Sequence, residues 1–301
     1  MSLALVLMAY GSPNRPDEIE EYYTHIRRGR PPSAEQVEEL RGRYDAIGGV
    51  SPLRDRTEAQ ARGVHAALER AEPGRWRVLL GMKHAHPFVE DAAAAALAGD
   101  PELVIGLPLT PLATKASAGE YCDRLRRAVG DAAPFHEVEG WHAHPALVGL
   151  LAERVQEARA RVPDRSPVVF TAHSLPARVV DAGDPYPELL NASARAVAEA
   201  AEPALAHRVA YQSAGLTSDP WIGPDIGDVI GELAASGEVE GVVVCPIGFV
   251  SDHLEVLYDI DVVARERAQA AGLELVRTRS LNDEPRFVEL LAELARRAVP
   301  R

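Results

Sequence analysis

The chain of 301 residues predicts an α/β fold made of two Rossmann-like domains, each a four-stranded parallel sheet flanked by helices. Three observations carry this. Short runs rich in Val, Ile and Leu alternate with longer helical patterns, as βα repeats require. The runs are continuously apolar and not alternating, which suits strands buried on both faces of a parallel sheet. The two halves also begin alike, with Ala9-Tyr10-Gly11-Ser12-Pro13 after the first run and Ala172-His173-Ser174-Leu175-Pro176 after the fifth.

The strands are expected at Leu3–Ala9, Arg77–Met82, Leu103–Leu109 and Phe135–Val138, then at Val168–Ala172, Val209–Gln212, Val242–Ile247 and Leu273–Arg277. Between them, helices are expected at Asp17–Arg28, Ala34–Tyr44, Ser51–Ala71, Pro87–Leu97, Ala118–Val129 and Pro145–Arg161. The second half adds Glu188–Glu202, Asp225–Ala235, Asp252–Ala271 and Glu284–Val299. Ser51-Pro52 reads as a cap followed by Pro at the first helical position, and Pro73-Gly74 stops that helix. The strands divide four and four, which places one domain at 1–145 and the other at 146–301. The last helix is free to pack back on the first domain. Right-handed crossovers then set each sheet's hand.

Composition narrows the function. Hydrophobic residues make up 47% and charged residues 26%, ordinary globular proportions. A net charge of −13 argues against nucleic acid and anionic membranes as partners. Cys122 and Cys245 form no CxxC pair, so no zinc or iron–sulfur signature is present. The opening MSLALVLMAYG lacks a basic region and reads as a first strand, not a signal peptide. No run reaches the roughly 18 apolar residues of a membrane span. These features suit a cytoplasmic protein with reduced thiols and no stable membrane insertion. Neither GxGxxG nor GxxxxGK[ST] follows any strand, so nucleotide binding has no support.

Ligands of open α/β sheets bind at the carboxyl ends of strands. Tyr10 and His173 hold matching strand-end places, and two facing domains would set them on opposite walls of one cleft. His173 can accept a proton or bind a borderline metal ion, or it can be a satisfied core histidine. Glu255 and Asp259 lie four apart on one helical face and can handle a cation, or form a solvated acidic first turn. Tyr22-Tyr23-Thr24-His25-Ile26-Arg27-Arg28-Gly29-Arg30, with Arg41 and Arg43-Tyr44, combines guanidinium forks with flat aromatic surface. That suits a planar ligand bearing carboxylates. The alternative is a basic face paired with Glu35, Glu38 and Glu39.

Taken together these stretches resemble the ferrochelatase family. The match includes Leu7-Met8-Ala9-Tyr10-Gly11, Tyr23-Thr24-His25-Ile26-Arg27-Arg28-Gly29-Arg30, Arg43-Tyr44-Asp45, Gly81-Met82-Lys83-His84, Thr171-Ala172-His173-Ser174, Pro246-Ile247-Gly248-Phe249 and Asp252-His253-Leu254-Glu255. The order holds over nearly the whole chain. Tyr10 and the YYTHIRRGR run point to the coproporphyrin III branch. The resemblance implies ferrous iron insertion into coproporphyrin III, with no cofactor beyond the iron substrate, no iron–sulfur cluster, and a monomer. Its iron-binding His and Glu fall on His173 and Glu255. Its porphyrin-contacting residues fall on Tyr10, Arg27, Arg43, Tyr44, Ser51 and Tyr121. The chain departs from the family at Leu109-Thr110-Pro111-Leu112, which lacks the usual Pro-His, and at Val263, where relatives often carry an acid. A neutral His173 is needed as base or ligand, so activity is expected to fall below about pH 6.5. Protoporphyrin IX as substrate, a cobalt or nickel chelatase acting on sirohydrochlorin, and a non-catalytic porphyrin carrier are the competing readings.

Overall fold

The computed structural model describes residues 2–138, 140–215 and 219–300. The strands are β1 (Leu3–Ala9), β2 (Trp76–Met82), β3 (Leu103–Pro108) and β4 (Phe135–Glu137), then β5 (Val168–His173), β6 (His207–Gln212), β7 (Gly241–Cys245) and β8 (Glu274–Arg277). They form two parallel four-stranded sheets, ordered β2-β1-β3-β4 and β6-β5-β7-β8. Each sheet therefore repeats one topology, and β1 and β5 are equivalent strands. The parallel of Tyr10 and His173 is one of structure as well as sequence.

Alternation along the strands divides the core. Leu3, Leu5 and Leu7 of β1 join one large cluster, whereas Ala4, Val6 and Met8 enter another on the opposite face. In β5, Val168, Phe170 and Ala172 join that same large cluster and Val169 faces away. The inner faces of both sheets thus share one apolar core. It is filled by α3 (Leu53–Ala71), α6 (Pro145–Arg159), α8 (Tyr186–Ala201) and α12 (Pro285–Arg297). The outer face of the first sheet is covered by α4 (Val89–Leu97) and α5 (Glu120–Val129). That of the second is covered by α9 (Ile226–Ser236) and α11 (Arg265–Ala270).

The last helix does pack on the first half. Gly63 of α3 admits it, because a Cβ there would meet both Val288 methyls at 3.0 Å. Arg70–Glu289 and Arg56–Asp283 ion pairs flank the contact.

Several helices differ from the sequence reading. α1 runs only over Ile19–Ile26, since Arg28 and Gly29 turn left-handed. The helix after Ser51 starts at Leu53 with Pro52, not Ser51, at the cap; Ser51 stands one residue further out and its Oγ accepts the Leu53 N–H at 3.2 Å. A π turn at Lys115–Gly119 leads into α5, and a short α7 (Ala177–Asp181) was not foreseen. The expected single helix over 252–271 is broken. It comprises α10 (Leu254–Leu257), a π turn at Asp259–Ala264, and α11. Wide turns of this kind insert a residue into the helical ladder and gather at functional sites.

Candidate active site

Glycines bring the strand ends together. Gly11 has φ +91°, and a Cβ on it would meet Ala85 at 3.0 Å. The chain after β1 therefore runs against the chain after β2, with Lys83 N–H donating to Ala9 and His84 N–H to Tyr10. Gly248 does the same in the second half. A Cβ there would lie 2.6 Å from the Ala172 Cβ, so only glycine lets the exit from β7 cross the end of β5. That crossing delivers Glu255 to His173. The strand order reverses between β5 and β7, and these two residues flank the crevice where such sheets bind ligands.

His173 Nε2 lies 3.4 Å from Glu255 Oε1. Its Nδ1 lies 2.5 Å from the Ser174 carbonyl. A carbonyl only accepts, so Nδ1 carries the proton and Nε2 faces the carboxylate. A histidine prepared for metal usually donates its second nitrogen in this way. Desolvation would lower His173, but the Glu255 charge, its hydrogen bond and the Ser174 carbonyl raise it to about 9. Glu255 moves below the usual carboxylate range: burial pushes it up, and His173 outweighs that. The metal-free site is an ion pair near neutral pH, and the neutral imidazole needed as base or ligand forms when His173 gives up that proton.

The surroundings hold this pair. Gln212 donates through Nε2 to the Glu255 carbonyl at 2.9 Å and accepts from Thr171 at 2.8 Å. His253 caps α10 by accepting the Val256 N–H at 3.2 Å and stands edge-on to Phe249. Asp259 is bonded by the Ser213 hydroxyl. Burial, with the Glu255 charge behind it, raises Asp259 to about 6, although the Ser213 bond acts the other way.

In the first half, phenols coupled to this pair cluster around one lysine. Tyr10 is partly exposed and its ring lies 4.6 Å from that of His84. Lys83 Nζ sits 5.8 Å from the Tyr10 ring and 5.5 Å from the Tyr121 ring, and pairs with Glu120 at 2.8 Å. Burial raises the Tyr10, Tyr44 and Tyr121 phenols, and the Glu255 charge adds to each. All three therefore stand within electrostatic reach of the His–Glu pair and remain protonated phenols near neutral pH. Burial lowers His84 to about 3, with Lys83 contributing, so it is neutral.

Tyr44 is buried with Ile19 and Val37, and Leu254 of α10 packs against them. This contact ties α1 and α2 (Ala34–Ala46) to the segment carrying Glu255. Arg43 stacks over Tyr258 at 5.6 Å and pairs with Glu39 at 2.6 Å. Arg27 lies over Tyr23 at the end of α1, and Ser51 is buried with its hydroxyl on the Leu53 N–H. The Glu255 charge is felt by Tyr10, Tyr44, Tyr121 and His173, and Arg43 acts on Glu255 in turn; Arg27 and Ser51 take no part in this coupling. The alternative reading of a paired basic face is met for part of the arginine cluster. Arg41 and Arg43 pair with Glu38 and Glu39, whereas Arg27, Arg28 and Arg30 pair with no carboxylate among the described residues.

Sequence reasoning missed Lys83, His84, Gln212, Ser213 and Tyr258 as site residues. A signal existed for four of them. Lys83-His84 follows β2 and Gln212-Ser213 closes β6, at the same sheet edges as Tyr10 and His173.

Two sheets of one strand order, with a His–Glu pair at the switch point of one and phenols facing it from the other, define a chelatase-type protein. The fold is similar to that of SirB from Bacillus subtilis with Fe3+, at a TM-score of 0.60 and 11% identity over 99% of this chain and 96% of that one. It is also similar to CbiX, the terminal enzyme for biosynthesis of siroheme in denitrifying bacteria, at a TM-score of 0.55 and 15% identity over the whole of both chains. The ferrochelatase family pattern matches residues 2–299, and the chain belongs to the ferrochelatase family. It is 44% identical to a ferrochelatase of Herpetosiphon aurantiacus, over 96% of each chain. It is 38% identical to the coproporphyrin III ferrochelatase of Geobacillus kaustophilus, over 96% of this chain and 94% of that one.

Among the described residues, no helix is long and apolar enough to cross a membrane, and no group of three or more His, Cys, Asp or Glu is arranged to hold a metal. Cys122 and Cys245 are free, buried thiols.

Proposed function

We propose that this chain inserts ferrous iron into coproporphyrin III, releasing two protons and Fe-coproporphyrin. The observation that carries the reading is His173 Nε2, 3.4 Å from the Glu255 carboxylate, whose charge reaches the Tyr10 phenol. Membership in the ferrochelatase family supports the reaction, and the names of relatives such as the Geobacillus enzyme support the porphyrin.

In this reading Fe2+ is a substrate and no further cofactor or iron–sulfur cluster takes part. Metallation must strip water from the cation and remove two pyrrole protons. His173 and Glu255 hold the iron, accept the protons, or share both tasks. Binding distorts the macrocycle so that its nitrogen lone pairs leave the ring plane, a use of binding energy at the reacting centre. Tyr10 meets the opposite ring face. Arg27, Arg43, Tyr44, Ser51 and Tyr121 line the porphyrin and hold its propionates. Residues 1–145 supply the porphyrin-binding segments and 146–301 the metal-holding pair. The protein works as a cytoplasmic monomer, without nucleic acid or membrane partners.

The test is anaerobic metallation with Fe2+, offering coproporphyrin III and protoporphyrin IX separately. Conversion of coproporphyrin alone is expected. Preference for protoporphyrin would overturn the substrate. Tight binding without turnover would point to a carrier.

A further inference from the structure

The segment that carries Glu255 is weak by itself. α10 has four residues and passes directly into a π turn. So short a helix cannot hold a side chain in place unaided. Its stiffness must come from tertiary contacts.

Beside the Gln212, Ser213 and Leu254 contacts within it, the contacts at the two ends of the segment converge on Arg277, the last residue of β8. Its Nε lies 2.9 and 3.0 Å from the two Asp261 oxygens, and its Nη2 lies 2.9 Å from Oδ2. Its Nη1 reaches Asp252 Oδ1 at 3.2 Å, the Thr278 carbonyl at 3.0 Å and Ser280 Oγ at 3.3 Å. Asp252 stands three residues before Glu255 and Asp261 six after it. One guanidinium therefore grips both ends of the loop. Asn282 completes the hold: its Nδ2 donates to Asp252 at 2.8 Å, and its Oδ1 accepts the Asp252 N–H at 2.9 Å. The network reaches the first half through Gln60, fully buried in α3, which donates to Ser251 Oγ at 2.9 Å and to the Asn282 carbonyl at 2.7 Å.

We infer that Arg277 is a positioning residue for metal capture, clamping Asp252 and Asp261 so that Glu255 stays at its 3.4 Å distance from His173. The inference rests on the reading of Glu255 as a metal-holding residue. The Arg277 side chain is only 13% exposed, and it records no contact with the carboxylate of Glu255 or the ring of His173. It acts through the backbone between its two partners. Lysine would keep the charge and lose the fork that spans both aspartates.

The experiment compares the wild-type chain with Arg277→Lys and Asp261→Asn, and with Leu290→Ala as a packing control in α12. Porphyrin affinity is read by coproporphyrin fluorescence quenching, iron handling by kcat and KM for Fe2+, and folding by the thermal midpoint. Arg277→Lys should cost about 10- to 100-fold in kcat/KM for iron, the usual effect of losing an outer partner of a metal site. Asp261→Asn should cost less, because Asp252 remains gripped. Porphyrin affinity should stay within about twofold in both. Leu290→Ala should lower the midpoint with no selective loss in iron handling. Unchanged iron parameters in Arg277→Lys and Asp261→Asn would overturn the inference, as would parallel losses in iron and porphyrin parameters. If Arg277→Lys does not fold, Asp261→Asn decides alone. Calorimetric binding of Co2+ to the metal-free proteins reads the clamp without turnover. Weaker Co2+ binding in Arg277→Lys and Asp261→Asn than in a wild type that itself lacks turnover would keep the clamp and sink the proposed reaction.

Discussion

Replacing Glu255 by Gln should change the proton that iron must displace. In the metal-free protein His173 is raised to about 9, against the desolvation of its site, chiefly by the Glu255 charge. Two unit charges 3.4 Å apart interact by about 5 kcal/mol at an effective dielectric of about 20. That corresponds to at most about three and a half pH units, at about 1.36 kcal/mol each. The side chains are 32% and 35% exposed, so water reduces the effect, in keeping with a rise from 6.5 to about 9. With Glu255→Gln, burial is left as the largest influence, and His173 should titrate at or below 6.5. Both curves can be followed on the His173 ring by NMR in metal-free protein. Metal binding should release about one proton near pH 7 in the wild type and little in the variant, measurable by calorimetry in two buffers. Apparent metal affinity should then climb with pH towards about 9, where a neutral histidine would level off near 6.5. The same pair stabilises the fold within a window. The histidine's contribution is full below about 6.5 and lost as pH rises through about 9; the carboxylate's is present above about 4.5 and lost as pH falls. Coincident titrations near 6.5 in the wild type and the variant would refute the coupling.

Other outcomes test the site and the core. His173→Ala and Glu255→Gln should each cut turnover by orders of magnitude and leave porphyrin fluorescence quenching nearly intact; near-wild-type turnover in either would remove that residue from the chemistry. Replacing Arg27 by Leu should raise KM for coproporphyrin more than for protoporphyrin, because this guanidinium has no carboxylate partner of its own among the described residues; equal effects would end its role in propionate recognition. Phe287, fully buried in the shared core with its ring 6.0 Å from that of Trp141, should cost about 3–5 kcal/mol when cut to Ala, seen in denaturant unfolding. A loss under about 1 kcal/mol would mean that α12 contributes little to the shared core.

Local patterning is enough to set the layers. All eight strands lie within two residues of their expected starts, because runs such as Leu3–Ala9 and Val242–Val244 have only one stable place, inside a parallel sheet. The equivalent strand-end positions of Tyr10 and His173 were legible for the same local reason. Pairing across distance was not. That Gly248 crosses Ala172, that Glu255 is met by His173, and that Arg277 grips Asp252 and Asp261 depend on which strands become neighbours, and no local pattern encodes that. The break at α10 was invisible because 252–271 has good helical periodicity, and tertiary contacts to Arg277 and Ser213 overrode it. A shared core likewise cannot be read from one chain half. Leu3, Leu5 and Leu7 are apolar whichever sheet they face, and only folding decides that they meet the same cluster as Val168 and Phe170. The protonation of His173 follows from that folded geometry, since a histidine at 6.5 becomes one near 9 only when a carboxylate from 82 residues away in sequence is held beside it.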